Sequence, residues 1–184
     1  MMRLILVYGA IAGTVELALL ALTMGVVSDH GSMGMVLGYL SMLIAMSMVF
    51  VGVKRFRDEQ QGGVIRFGQA LLVGLGIAGV ACLFYVLGWE LYMWATDNRF
   101  MAEYMASMLK QKQEAGASAA ELAAFKAEMQ GVVEMYRNPI LRMLMTLSEI
   151  APVALIVPLI SAALLRNPRF MPAQDRKPAD GFAV

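Results

Sequence analysis

The chain has 184 residues, 59% of them hydrophobic and 16% charged, with a formal net charge of +1 and a mean hydropathy of +0.64. An average soluble domain is roughly one-quarter charged and is built from strands of ~5 and helices of ~11 residues. Here the apolar residues form runs of about twenty or more, which excludes a soluble core and points to membrane spans. A lone cysteine, Cys82, excludes a disulfide framework and a thiolate metal site, and a lone histidine, His30, excludes a multi-histidine metal or haem centre.

Arg3 precedes a first apolar run over 4–27. Signal-peptide cores are only ~7–15 residues, and the small residues Ala10 and Ala12 come too early for cleavage. The sequence therefore predicts a retained first span. A polar, turn-forming break at 28–32 leads to a second run over 33–53, which at ~1.5 Å per residue crosses a ~30 Å bilayer core. It gives way to Lys54-Arg55-Phe56-Arg57-Asp58-Glu59, read as a charged loop closed by Gly62 and Gly63. The third run, 65–95, ends in Trp89, Tyr92 and Trp94, the aromatic signature of a membrane–water interface.

Between 96 and 138 the pattern becomes amphipathic. Asp97 is a candidate N-cap for a helix with Met101, Tyr104, Met105 and Met108 on one face, stopped at Gly116. Ser118-Ala119-Ala120-Glu121 has the form of a capping box. It opens a second helix with Leu122, Phe125, Met129, Val132, Val133 and Tyr136 on a stripe. The fourth apolar run covers 139–165 and stops at Arg166. Its Pro152 and Pro158 are tolerated where neighbouring helices satisfy the freed carbonyls. The tail over 167–184 lacks periodicity and is expected to be disordered.

Arg3, Lys54, Arg55, Arg57, Arg66, Arg166, Arg169, Arg176 and Lys177 all fall on one side of this map. The positive-inside rule makes that side cytoplasmic, with both termini there and the hairpin outside. The predicted fold is thus all-α: an integral membrane four-helix bundle with an extracytoplasmic antiparallel helical hairpin between spans three and four.

Three glutamates, Glu16, Glu90 and Glu149, interrupt the apolar runs. A charge at the bilayer centre costs at least ~2.5–3.5 kcal/mol, so such residues face a bundle interior or a water-filled cavity, or hydrogen-bond a neighbouring helix. Arg142, two turns before Glu149, is the basic residue nearest them in depth. Carboxylates this short of cations keep their protons or bind a cation. Together Glu16, Glu90, Glu149 and Arg142 form the candidate polar membrane site. Lys54, Arg55 and Arg57 are candidates for contact with anionic lipid or a protein partner, beside their plainer role in fixing topology.

Other motifs carry less. Gly74-Leu75-Gly76-Ile77-Ala78-Gly79 spells a dinucleotide fingerprint but lies inside a span, where small residues serve helix packing, as do Gly9 and Gly13, and Gly34 and Gly38. His30, Met33 and Met35 could ligate copper, yet most of the seventeen methionines are ordinary apolar filler. No metal site and no cofactor is expected.

Gly52-Val53-Lys54-Arg55-Phe56-Arg57-Asp58, Phe67-Gly68-Gln69-Ala70, Met135-Tyr136-Arg137-Asn138-Pro139 and Glu149-Ile150-Ala151-Pro152-Val153 together resemble a bacterial membrane family, domain of unknown function 4199. The resemblance covers nearly the whole chain, implies the four-span arrangement and brings no catalytic residues with it. Without a nucleophile–base pair, nucleotide loop or ligand set, the favoured reading is a non-enzymatic accessory, scaffold or ligand-responsive subunit of a bacterial inner membrane. Its surroundings would be the lipid bilayer and a protein partner met through the hairpin or the cytoplasmic loop, with no nucleic acid. The alternatives are a small proton- or cation-coupled transporter or channel, for which four spans call for a homodimer, and a membrane enzyme acting on lipid through a glutamate.

Overall fold

A computed structural model describes residues 1–26 and 32–173. It contains α1 (Met2–Val26), α2 (Ser32–Gln60), α3 (Phe67–Ala95), α4 (Phe100–Glu114), α5 (Ala119–Arg137) and α6 (Pro139–Leu165). No strand occurs among the described residues. Helices α1, α2, α3 and α6 are each long and apolar enough to cross a membrane. They pack as a ring in which α1 meets α2 and α3, and α6 meets α3 and α2. Leucines such as Leu22, Leu43, Leu72, Leu83 and Leu155 remain exposed on its outside, which is the surface a lipid solvent requires.

The ring has two unlike ends. Met1 donates from its amino terminus to Gln60 Oε1 at 3.1 Å, so the chain start, the end of α2, the start of α3 and the end of α6 share a basic end. The α4–α5 hairpin occupies the other. Close approach of α1 to α3 depends on glycine: a Cβ at Gly9 would lie 2.5 Å from Val80 Cβ, and one at Gly13 2.4 Å from Phe84 Cβ. The same packing role expected of Gly38 and Gly79 does not hold, because a Cβ at either meets nothing within 4 Å.

Three local features depart from the sequence reading. The segment from Lys54 to Gln60 is helical, not a loop, and α2 runs two turns past its apolar stretch. Lys54 pairs with Asp58, Arg55 Nε lies 3.0 Å from Glu59, and such i,i+4 pairs support a helix. Phe56 and Arg57 are buried there. Asp97 does not cap α4; it has φ 52° and lies with Asn98, φ 55°, in the turn that closes α3, while Arg99 occupies the N-cap. The first tail residues are packed: Phe170 meets Phe50 edge-on with ring centroids 6.3 Å apart. The disorder expected of the tail falls, from 174 onward, outside the described residues, as do Arg176 and Lys177.

The capping box is formed, with Ser118 accepting from Glu121 N and Glu121 accepting from Ser118 N, and Gly116 stops α4 at φ 89°. The predicted stripes on α4 and α5 are half-buried, and neither helix has a fully buried residue. Asn138 caps α6 by accepting from Ile140 N and Leu141 N, with Pro139 at the first helical position, where its missing N–H costs no bond.

Candidate functional site

Glu16 is 2% exposed. Its Oε1 accepts from Ser41 Oγ at 3.2 Å, and its Oε2 is buried with no hydrogen-bond partner. The Ser41 hydroxyl also lies 2.7 Å from the Gly38 carbonyl, so its one proton is shared between the two acceptors. From α3, the Tyr85 hydroxyl lies within electrostatic reach of both Glu16 and the Glu149 carboxyl of α6. Tyr85 is buried; Glu149 is exposed, on the flank of α6 opposite to Leu144, Leu147 and Leu155, which line a groove with α3.

Depth unites these four groups. Glu16, Ser41, Tyr85 and Glu149 each stand nine or ten residues from the hairpin end of their helices, about 15 Å at 1.5 Å per residue. Each span therefore contributes one polar side chain to a single layer. Toward the basic end the bundle turns apolar: Ala12, Met46, Val49, Val53, Val73, Ile77 and Ala162 are buried. Ser161 is the buried polar exception among the described residues short of Arg57, and its hydroxyl is taken up by the Val157 carbonyl at 2.7 Å.

Arg142 does not pair with Glu149. It reaches across to Glu90 in a two-point contact, Nε to Oε1 at 2.7 Å and Nη2 to Oε2, and its Nη1 donates to Asn98 Oδ1 at 3.0 Å and to the Tyr136 carbonyl at 3.3 Å. The left-handed turn at Asp97–Asn98 is what aims Asn98 at the guanidinium. Tyr136, from the hairpin, lies beneath it with the ring centroid 5.9 Å away and accepts from Trp89 Nε1 at 2.7 Å. Burial holds the Tyr136 hydroxyl protonated well above the usual phenol range. Trp89 also meets Phe100 edge-on at 4.8 Å and stacks on Tyr92 at 5.4 Å, so aromatic contacts seat the hairpin on α3.

Of the residues singled out in the sequence, Glu16 and Glu149 are thus brought to one layer around Tyr85, while Glu90 and Arg142 form a separate ion pair nearer the hairpin. Tyr136 belongs to the second of these groups and lies within electrostatic reach of Glu149. Ser41, Tyr85, Trp89, Asn98 and Tyr136 were missed as site residues. Counting depth from the span ends would have found Ser41 and Tyr85.

At the basic end, Arg57 is 0% exposed and donates to the carbonyls of Phe170 and Met171, the former at 2.9 Å, and to Asp58 Oδ1 at 2.7 Å. It fastens α2 to the segment after α6. Lys54 is paired with Asp58. Arg55 bonds Glu59 and the Tyr8 hydroxyl, the latter at 3.1 Å, and is the one of the three on an exposed surface. His30 and the Met33 side chain fall outside the described portions. No cluster of three or more His, Cys, Asp or Glu positioned for a metal occurs among the described residues.

The family model described as "Protein of unknown function (DUF4199)" matches residues 7–167. The chain belongs to this family. The match takes in the four apolar helices, apart from the first five residues of α1, and the hairpin, and so every residue of the carboxyl layer and of the Arg142 ion pair lies within the family's extent. No curated protein and no solved structure matches the chain.

Proposed function

We propose that the protein is a non-enzymatic, ligand-responsive subunit of a bacterial inner membrane, and that its responding group is the carboxyl layer of Glu16 and Glu149, taking up a proton or a cation. The observation that carries this reading is the unpartnered, buried Oε2 of Glu16. An ionised carboxylate left that way in an apolar setting costs several kcal/mol or more, which a proton or bound cation relieves. Arg142 cannot serve, since Glu90 occupies it. The nine Lys and Arg residues on one side of the map support cytoplasmic termini and a hairpin outside. Access to the layer is then from the hairpin side.

The apolar half of the bundle below the layer favours this reading over a transporter. A carrier or channel needs polar groups on both sides of its site. The buried residues from Ala12 to Leu4 and from Met46 to Val53 are apolar, the Ser161 hydroxyl is spent on the Val157 carbonyl, and the half-buried Tyr8 hydroxyl is held by Arg55. The lipid-enzyme alternative would need a hydroxyl open to a lipid ester, and the two that lie near these carboxyls, on Ser41 and Tyr85, are buried.

The test is modification of the membrane-embedded, full-length protein by a hydrophobic carbodiimide, which reacts with protonated carboxyls in apolar surroundings. Mass spectrometry is expected to find the adduct on Glu16 or Glu149, reduced by alkali cations if a cation is the ligand. Absence of adducts at both positions over acid to alkaline pH would sink the proposal. Proteoliposomes are expected to show no proton or cation flux above protein-free vesicles; flux abolished by Glu16→Gln would replace this reading with the transporter.

A further inference from the structure

A pocket of about 730 Å³ remains between the hairpin and the bundle, within the ~300–1,000 Å³ range of small-molecule sites. Its walls are Met93 and Trp94 from the last turn of α3, Met101 and Met105 from α4, and Val133 from α5. Its floor is the Arg142–Glu90 pair with Asn98, and Arg137 stands at its rim. The last turn of α3 lies where an interfacial tryptophan belongs, and Trp94 is 76% exposed. The pocket therefore opens at head-group depth.

Its chemistry is asymmetric. Glu90 gives both oxygens to Arg142, which leaves the floor electrically neutral. Arg137 meets Glu134 at 3.2 Å, with the two side chains 73% and 58% exposed. An exposed pair of this kind contributes ~0–1 kcal/mol and exchanges readily for another anion. Thioether side chains are flexible and fit irregular alkyl surfaces. Beside them, Asp97 and Asn98 hold left-handed backbone conformations, a strain that costs ~1–3 kcal/mol per residue and clusters at binding sites.

We infer that this pocket binds an amphiphile with one acyl chain against Met101, Met105 and Trp94 and an anionic head group on Arg137. A free fatty acid and an anionic phospholipid share that chemistry. The site is distinct from the carboxyl layer and does not depend on its proton or cation.

The test reads Trp94 fluorescence in the full-length protein, with Trp94→Phe as the control for the residual signal of buried Trp89. A bromine-labelled fatty acid is titrated into detergent-purified protein, and bromine-labelled phosphatidylglycerol or phosphatidylcholine is incorporated into nanodiscs. Saturable quenching is expected. Saturation with the fatty acid alone identifies a free acid as ligand; saturation with phosphatidylglycerol at low mole fraction identifies a bilayer lipid. Arg137→Gln is expected to weaken apparent affinity about tenfold, the loss of a charge-assisted hydrogen bond. Ala102→Phe, at an exposed pocket position, is expected to abolish saturation. Quenching that rises in proportion to the labelled fraction and is the same in both variants would overturn the inference, because it describes ordinary surrounding lipid.

Discussion

Arg142 has four acceptor contacts, on Glu90, Asn98 and Tyr136, and its side chain is 6% exposed against 15% for Glu90. Removing one member of such a pair leaves a buried, uncompensated charge, at a cost of about 3–5 kcal/mol. Glu90→Gln is therefore expected to lower the thermal unfolding midpoint of the detergent-solubilised protein markedly. The double change Glu90→Gln with Arg142→Met is expected to recover most of that loss. Equal midpoints for wild type and Glu90→Gln would show that the pair is solvated. The sequence exposed all four charged residues as intruders in apolar runs, but left open which of the three glutamates Arg142 meets. Spacing along α6 puts Glu149 on nearly the same face, whereas the Asn98 side chain in the turn after α3 and the Tyr136 ring beneath the guanidinium hold it toward Glu90.

Helices α4 and α5 have half-buried stripes and no buried residue, so their persistence depends more on their ends than on a core of their own. Glu121 is held below its ordinary value of 4.5, chiefly by the backbone hydrogen bond from Ser118. A carboxyl whose folded value is depressed stabilises the fold at pH above its unfolded value, and the contribution disappears as pH falls through the folded one. The first turn of α5 is thus expected to fray on acidification from just above pH 4.5, seen as faster hydrogen exchange at residues 119–122 than in the middle of α5. Ser118→Ala removes the cap at a cost of about 1 kcal/mol and should produce the same fraying at neutral pH. Exchange unchanged in that variant would mean that contacts with the bundle hold the turn. Capping box, Gly116 stop and both stripes were legible because each is set by local spacing. The helical Lys54–Gln60 segment was not, since charge alone looks like a loop and the burial of Phe56 and Arg57 depends on α6 and the residues after it.

At the scale of the whole chain, the presence and order of four apolar helices were readable, because hydrocarbon length and backbone self-sufficiency leave few alternatives, while the end of α2 at Gln60 was not. The shared depth of Glu16, Ser41, Tyr85 and Glu149 could be counted from the span ends, but a hydroxyl in an apolar run does not draw notice as a carboxyl does. A membrane-impermeant maleimide applied to intact cells is expected to label Gln113→Cys and not Gln61→Cys. Labelling of both from one side would break the four-span map, and labelling of Gln61→Cys alone would invert it. The junction at Asn138–Pro139 has a mechanical corollary. A single non-helical residue joins α5 to α6, and α5, with 19 residues, is about 28 Å long. Were the joint stiff, a tilt of the fourth span by roughly 5° would sweep the far tip of α5 by about 2.5 Å, a displacement that a neighbouring protein could register without ever touching the lipid.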